Sequence, residues 1–97
     1  MYRCVVGFLS LLAILLTWES KAPVSRIYKQ IGCEGIYYPI GAVENSEQRF
    51  VDLDIIPGIF CYKVTHVDQE GVESESSNIT KVECVQKYSN VKCRSVY

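Results

Sequence analysis

The stretch "IFCYKVTHVDQEGVESESSNITKVEC", residues 59 to 84, contains two alternating runs on either side of a turn. The first run sends two sets of side chains to opposite faces of an extended chain. One set is Phe60, Tyr62, Val64 and His66, and the other is Cys61, Lys63, Thr65 and Val67. The "DQEG" segment ends in Gly71, which suits the left-handed position of a hairpin loop. The stretch therefore predicts a β-hairpin whose return strand covers residues 76 to 84.

Three more runs upstream, at residues 25–32, 35–44 and 48–55, are bounded by turn residues and predict further strands. Pro39 is best placed on an edge strand, because proline cannot donate to a β-ladder. Short, closely spaced strands of this kind are typical of an all-β sandwich. Residues 82–97 fit either one helical turn or an irregular tail tethered by cysteines. Residues 23–97 are predicted to form a single domain.

The first 22 residues predict a signal peptide. Arg3 precedes "VVGFLSLLAILL", a mostly apolar run that is shorter than the roughly 20 residues needed to cross a bilayer. Ser20 and Ala22 are small residues that favour cleavage after Ala22, although an uncleaved signal anchor remains an alternative. The sequence thus predicts a secreted, extracellular domain of 75 residues, Pro23 to Tyr97, without a membrane span.

The predicted domain carries 8 Lys and Arg against 10 Asp and Glu, a net charge of −2. Nucleic acid and anionic membranes require clustered cations, and the linear sequence shows no such cluster. We therefore expect neither as the main partner.

Four cysteines remain after the leader, at positions 33, 61, 84 and 93. An even number in a short secreted chain predicts two disulfides, because a small domain buries little apolar surface. Zinc is disfavoured, since the chain has no CxxC pair and a single histidine.

The segment "IPGIFCYKVTHVDQEGVESESSN", residues 56 to 78, resembles the F strand, FG loop and G-strand entry of a fibronectin type III domain. Upstream, "RIYKQIG", "YYPIGAVE" and "RFVDLDI" resemble the C, C′ and E strands of that family. The resemblance covers Arg26 to Val82. The A and B strands have no counterpart after the leader. The resemblance therefore implies a truncated, disulfide-stabilised fibronectin III or immunoglobulin-like sandwich.

The strand order C-F-G that this resemblance implies restricts the disulfide pairing. Cys33 and Cys84 would be separated by strand F, at a distance of about 10 Å, whereas a disulfide rarely tolerates Cα atoms more than ~7 Å apart. The preferred pairing is Cys33 with Cys61 and Cys84 with Cys93. The alternative, Cys61 with Cys84 and Cys33 with Cys93, stays open.

A sandwich without its first two strands would leave Ile27 or Tyr28, Phe60, Tyr62 and Val64 partly uncovered. Exposed apolar patches of several hundred Å² usually mark interfaces. The truncated architecture therefore predicts either a homodimer or a C-terminal tail that folds over this face.

No residue pattern predicts catalysis. His66 is the only histidine, and its place on a strand face suggests a structural or pH-sensitive role. Asp52 and Asp54 share a strand face in a way typical of solvated carboxylates. A domain of 75 residues has little room to exclude water from an active site. We expect no enzymatic activity, no cofactor and no metal.

Two features predict how the domain meets its surroundings. Loops on a rigid β scaffold often carry recognition, which makes Asp68, Gln69, Glu70 and Gly71 a candidate partner-binding loop. Asn78 begins an Asn-Ile-Thr glycosylation sequon. The sequence predicts a secreted, non-enzymatic protein that binds an extracellular or cell-surface protein. The alternative is a venom or saliva toxin that acts on an ion channel, a receptor or a host protein.

Overall fold

The computed structural model describes residues 5–10, 13–19, 21–44, 48–74, 76–88 and 90–96. These ranges contain strands and turns, and no helix within them could cross a membrane. The strands are β1 Val5–Ser10, β2 Ala13–Thr17, β3 Val24–Ile31, β4 Tyr38–Glu44, β5 Arg49–Asp52, β6 Gly58–Val67, β7 Thr80–Lys87 and β8 Asn90–Ser95. The all-β class predicted from the sequence is confirmed.

The strands form two antiparallel sheets, one of three strands in the order β1-β2-β5 and one of five in the order β4-β3-β6-β7-β8. In the β3–β6 pair, Ile27 lies opposite Val64 and Tyr28 lies opposite Lys63. Directly opposed residues point to the same side of a sheet, so this register separates an inner apolar face from an outer polar face. Pro39 lies on the edge strand β4, where a missing donor is tolerated.

The hydrophobic core lies between the two sheets. The three-stranded sheet contributes Ile14 and Leu16 from β2, and Trp18 follows directly after that strand. The five-stranded sheet contributes Ile27, Phe60, Tyr62, Val64, Val82 and Cys84. The two sheets thus bury their facing apolar side chains against each other, as in a β-sandwich.

Strands β1 and β2 correct the truncated architecture predicted from the sequence. Residues 5–10 and 13–17, inside the segment predicted to be a leader, form two strands of the three-stranded sheet. A short apolar run suits a buried strand as well as a leader, since both require closely spaced apolar side chains. Cleavage after Ala22 stays a prediction. In the structure, Ile27 and Val64 are fully buried, so their face needs no second copy to cover it.

The C-terminal segment adds a strand rather than folding over the inner face. β7 continues to Lys87, and β8 returns beside it as an edge strand. Cys84 and Cys93 are directly opposed in this hairpin and form a disulfide with a Cα–Cα distance of 4.0 Å. The helical and irregular readings of the tail are therefore both wrong.

The second disulfide joins Cys33 to Cys61, with a Cα–Cα distance of 5.1 Å. Cys33 has a positive φ of 55° in the turn after β3, while Cys61 lies within β6. This bridge ties the β3–β4 connection to the centre of the five-stranded sheet. The two bridges correspond to the pairing preferred from the sequence.

Candidate functional site

A groove of about 330 Å³ lies on the outer face of the five-stranded sheet. We call it the tyrosine groove. It is lined by Tyr28, Tyr37, Lys63, Thr65, Glu73, Ser74 and Ser76. Strands β3 and β6 supply its floor, because Tyr28 and Lys63 are cross-strand partners. The segments before β4 and after β6 supply its walls.

Glu73 is fixed in the tyrosine groove by several contacts. An isolated β-bridge to Val67 holds its backbone, and its carboxylate accepts hydrogen bonds from the hydroxyls of Tyr28 and Thr65. The Arg26 guanidinium lies 3.6 Å from the other carboxylate oxygen. These donors, first Thr65 and then Tyr28, hold the pKa of Glu73 below its usual value. The groove therefore presents an ionised carboxylate in a defined position.

Lys63 places a cation between two aromatic rings in the same groove. Its Nζ lies 4.3 Å from the ring centroid of Tyr37 and 5.6 Å from that of Tyr28. Both distances lie within the range of a cation–π interaction. The three side chains are half-buried, so each is ordered by its neighbours while part of its surface stays open to a ligand.

The predicted binding loop, residues 68–71, lies next to this groove and is exposed. The Asp68 carboxylate accepts hydrogen bonds from the backbone N–H groups of Glu70 and Val72, each at 2.9 Å. The N–H of Gly71 donates to the Asp68 carbonyl at 3.0 Å, and Gly71 has a φ of 83°. Asp68 therefore organises the loop, while the side chains of Gln69 and Glu70 remain available at its surface.

Asp52 is buried, in contrast to the solvated role expected for it. The Lys29 ammonium lies 2.7 Å from its carboxylate and 3.0 Å from the Asp54 carbonyl oxygen. The hydroxyl of Tyr62 donates to the same Asp52 oxygen at 2.5 Å. Burial, followed by this hydrogen bond, raises the pKa of Tyr62, so the phenol stays protonated. Lys29 also lies 4.5 Å from the Phe60 ring centroid. The buried Lys29 and Asp52 lie at the bottom of a depression of about 350 Å³ that Tyr38 and Phe50 also line.

His66 is half-buried at the opposite end of the inner face. Its Nδ1 lies 3.4 Å from the buried hydroxyl of Ser25, and Trp18 Nε1–H donates to that hydroxyl at 3.1 Å. Burial lowers the pKa of His66 and favours the neutral ring. Ser25 is 1% exposed and its hydroxyl already accepts a hydrogen bond from the indole N–H, so this group packs the core and does not form an open nucleophile.

Asn78 precedes β7 and is half-buried, with its amide 3.4 Å from the Thr80 hydroxyl of the same sequon. Within the described ranges, no group of three His, Cys, Asp or Glu side chains could hold a metal ion. The tyrosine groove thus combines ordered aromatic, cationic and anionic side chains on an accessible surface. Sequence reasoning missed it, although the outward positions Lys63 and Thr65 were visible in the alternation of β6.

Comparison with known proteins supports the fold alone. No family description and no curated protein sequence matches the chain. Among solved structures, it resembles the pectate lyase PelI from Erwinia chrysanthemi in complex with tetragalacturonic acid, with a TM-score of 0.70 and 20% identity over 84% of this chain and 28% of that chain. The pectate lyase Pel3 from Pectobacterium carotovorum has a TM-score of 0.72 and 17% identity, and the match covers 91% of this chain and 28% of that chain. The β-1,2-glucanase from Parabacteroides distasonis has a TM-score of 0.68 and 22% identity, and the match covers 90% of this chain and 13% of that chain.

These likenesses correct two predictions from the sequence. The chain spans less than a third of the length of each of these proteins. The segments that it matches belong to pectate lyases and a glucanase, so the resemblance to fibronectin type III domains inferred from the sequence is wrong. The turn and strand pattern of residues 56–78 fits any sandwich with this hairpin, which is why it misled. The prediction that the chain is not an enzyme is also contradicted, because the solved structures named above are pectate lyases and a glucanase.

Proposed function

We propose that the chain is an extracellular binding module that captures a protein partner in the tyrosine groove. The observation that carries this proposal is the fixed position of two opposite charges, Lys63 and Glu73, beside two tyrosine rings on an accessible sheet face. Two disulfides are compatible with an extracellular site of action.

Tyrosine supports this role because it offers a large contact area with few rotatable bonds, and it is enriched where protein interfaces concentrate their binding energy. Tyr28 and Tyr37 are held by Glu73 and Lys63 before any partner arrives. Little side-chain entropy is then lost on binding, and this preorganisation favours affinity. Gln69 and Glu70, at the tip of the neighbouring loop, would extend the contact.

A photo-crosslinker placed at one position at a time tests this role. The crosslinker p-benzoylphenylalanine is introduced at Tyr37 in one variant and at Ile56 in a control, because Ile56 is 56% exposed between β5 and β6 and does not line the tyrosine groove. Each oxidised chain is added to intact cells of the source tissue and irradiated. We expect a discrete adduct from position 37 that excess parent chain competes away. Adducts of equal yield from both positions, or none from position 37, would refute the proposal.

A second candidate function is supported by the likeness to polysaccharide-degrading enzymes. The pectate lyase PelI was solved with an acidic sugar chain, and the tyrosine groove offers rings for stacking together with the cations Lys63 and Arg26. Under this candidate, the groove binds uronate oligosaccharides. Titration of the parent chain with tetragalacturonic acid should then show saturable binding that Lys63→Ala weakens. Binding unchanged in this variant would exclude the groove as the sugar site.

A further inference from the structure

The β7–β8 hairpin carries a concentration of cations that the linear sequence hides. Between Thr80 and Ser95 the chain has four basic residues and one acidic residue, Glu83, whereas the whole chain has a net charge of −1. The basic residues are Lys81, Lys87, Lys92 and Arg94. The hairpin is thus strongly cationic on an otherwise acidic molecule.

The strand register brings these cations to one side of the sheet. Val85 lies opposite Lys92, and Glu83 lies opposite Arg94. Residues two apart on a strand share a face, so Lys81 and Lys87 project on the same side as Glu83 and Val85. The inner positions Thr80, Val82 and Cys84 of β7, by contrast, are buried. We call this outward side, formed by Lys81, Glu83, Val85, Lys87, Lys92 and Arg94, the cationic hairpin face.

The cationic hairpin face is accessible and has a shallow depression. Lys87 and Lys92 are exposed, and the Arg94 side chain is 75% exposed even though its guanidinium lies 3.4 Å from Glu83. Val85, Lys87, Lys92 and Arg94 contribute to the lining of a depression of about 110 Å³. The ammonium groups of Lys87 and Lys92 are therefore accessible to an anionic ligand, and at so open a site they lose little solvation when they meet it.

We propose that the cationic hairpin face binds a linear acidic polysaccharide bearing sulfate or carboxylate groups. A single sugar chain is narrow enough to follow two strands, a strip about 10 Å wide and about 20 Å long. A nucleic-acid duplex or an anionic bilayer presents a wider charged surface that would also meet the acidic remainder of the molecule. Two disulfides favour the extracellular side, where acidic polysaccharides are the common polyanions. This inference goes beyond the protein-binding role and does not depend on the tyrosine groove.

Charge reversal at single exposed positions tests the inference. The test variant Lys92→Glu reverses one charge on the cationic hairpin face. The control variant Arg49→Glu changes the net charge by the same amount at an exposed position on β5, in the other sheet. The probes are a heparin dodecasaccharide, which carries sulfate, and polygalacturonate, which carries carboxylate alone. Binding to the oxidised full chain is measured by fluorescence anisotropy at low and at high salt.

We expect one or both probes to bind the parent chain and to dissociate as salt rises, because exposed ionic contacts are screened. Lys92→Glu should weaken binding by about tenfold, while Arg49→Glu leaves it within about twofold. Binding of heparin alone identifies sulfate as the recognised group, and binding of polygalacturonate shows that carboxylate suffices. Equal losses in the two variants, no binding of either probe, or tighter binding to duplex DNA or phosphatidylserine vesicles would overturn the proposal.

Discussion

Lys29 and Asp52 form a buried ion pair on the inner face of the sandwich. The pair is 2.7 Å apart and almost fully buried, with Tyr62 completing the bonds of the carboxylate. Removing one partner leaves an uncompensated buried charge, whereas removing both can be close to neutral. The free energy of unfolding therefore depends on both partners being present together.

Lys29→Met should destabilise the fold by about 3 kcal/mol or more, because Asp52 would remain buried without its cation. The double variant Lys29→Met/Asp52→Asn should recover a large part of this loss. Denaturation by guanidinium chloride under non-reducing conditions measures both. A loss below about 1 kcal/mol in the single variant would show that Asp52 is solvated, as the sequence suggested.

Glu73 makes the stability of the tyrosine groove depend on pH. The pKa of Glu73 in the folded chain lies below the ordinary value of 4.5. Its contribution to the stability of the fold is therefore fully present above the unfolded-state pKa and is lost as the pH falls through the folded-state pKa. We expect the thermal midpoint of the parent chain to fall more between about pH 5 and pH 3 than that of Glu73→Gln. Parallel midpoint curves for the two chains would mean that the Thr65 and Tyr28 hydroxyls do not favour the ionised form.

At the scale of the elements, Gly41 allows β4 and β5 to approach each other. A Cβ at this position would lie 2.3 Å from Cε1 of Phe50, which packs against the core. Gly41→Ala should therefore cost about 1–3 kcal/mol through displacement of the ring. Gly7→Ala is the matched control, since its Cβ would meet only Leu15 Cδ2 at 4.0 Å. Equal unfolding midpoints for the two variants would contradict this packing.

Local alternation allowed the sequence to predict strands β3 to β7, because apolar positions on these strands repeat every second residue. It also led to the candidate loop at residues 68–71, which the Gly71 turn signals directly. It failed for β1 and β2, since a run such as "LAILL" looks the same in a leader and in a buried strand. The tyrosine groove and the cationic hairpin face depend on which residues are opposed between strands, and a single sequence does not specify that register.

For the whole molecule, residues 13–18 close one side of the sandwich. Cleavage after Ala22 would remove β1, β2 and Trp18, and would uncover the inner face around Ile27 and Val64. Contiguous apolar surface of this kind drives association. An oxidised chain of residues 23–97 should therefore elute as a dimer or larger species, and the full chain as a monomer. Monomeric elution of both, at equal stability, would mean that the three-stranded sheet does not cover this face.

Trp18 provides the most direct test that the two sheets pack as described. It is the only tryptophan in the sequence, it is 4% exposed, and its indole N–H donates to Ser25 at 3.1 Å. The measurement is tryptophan fluorescence of the oxidised full chain, with iodide quenching, before and after unfolding in guanidinium chloride. We expect a blue-shifted emission that is protected from iodide and that shifts to the red in a single unfolding transition. Emission and quenching that match the unfolded chain throughout would show that residues 13–18 lie outside the fold.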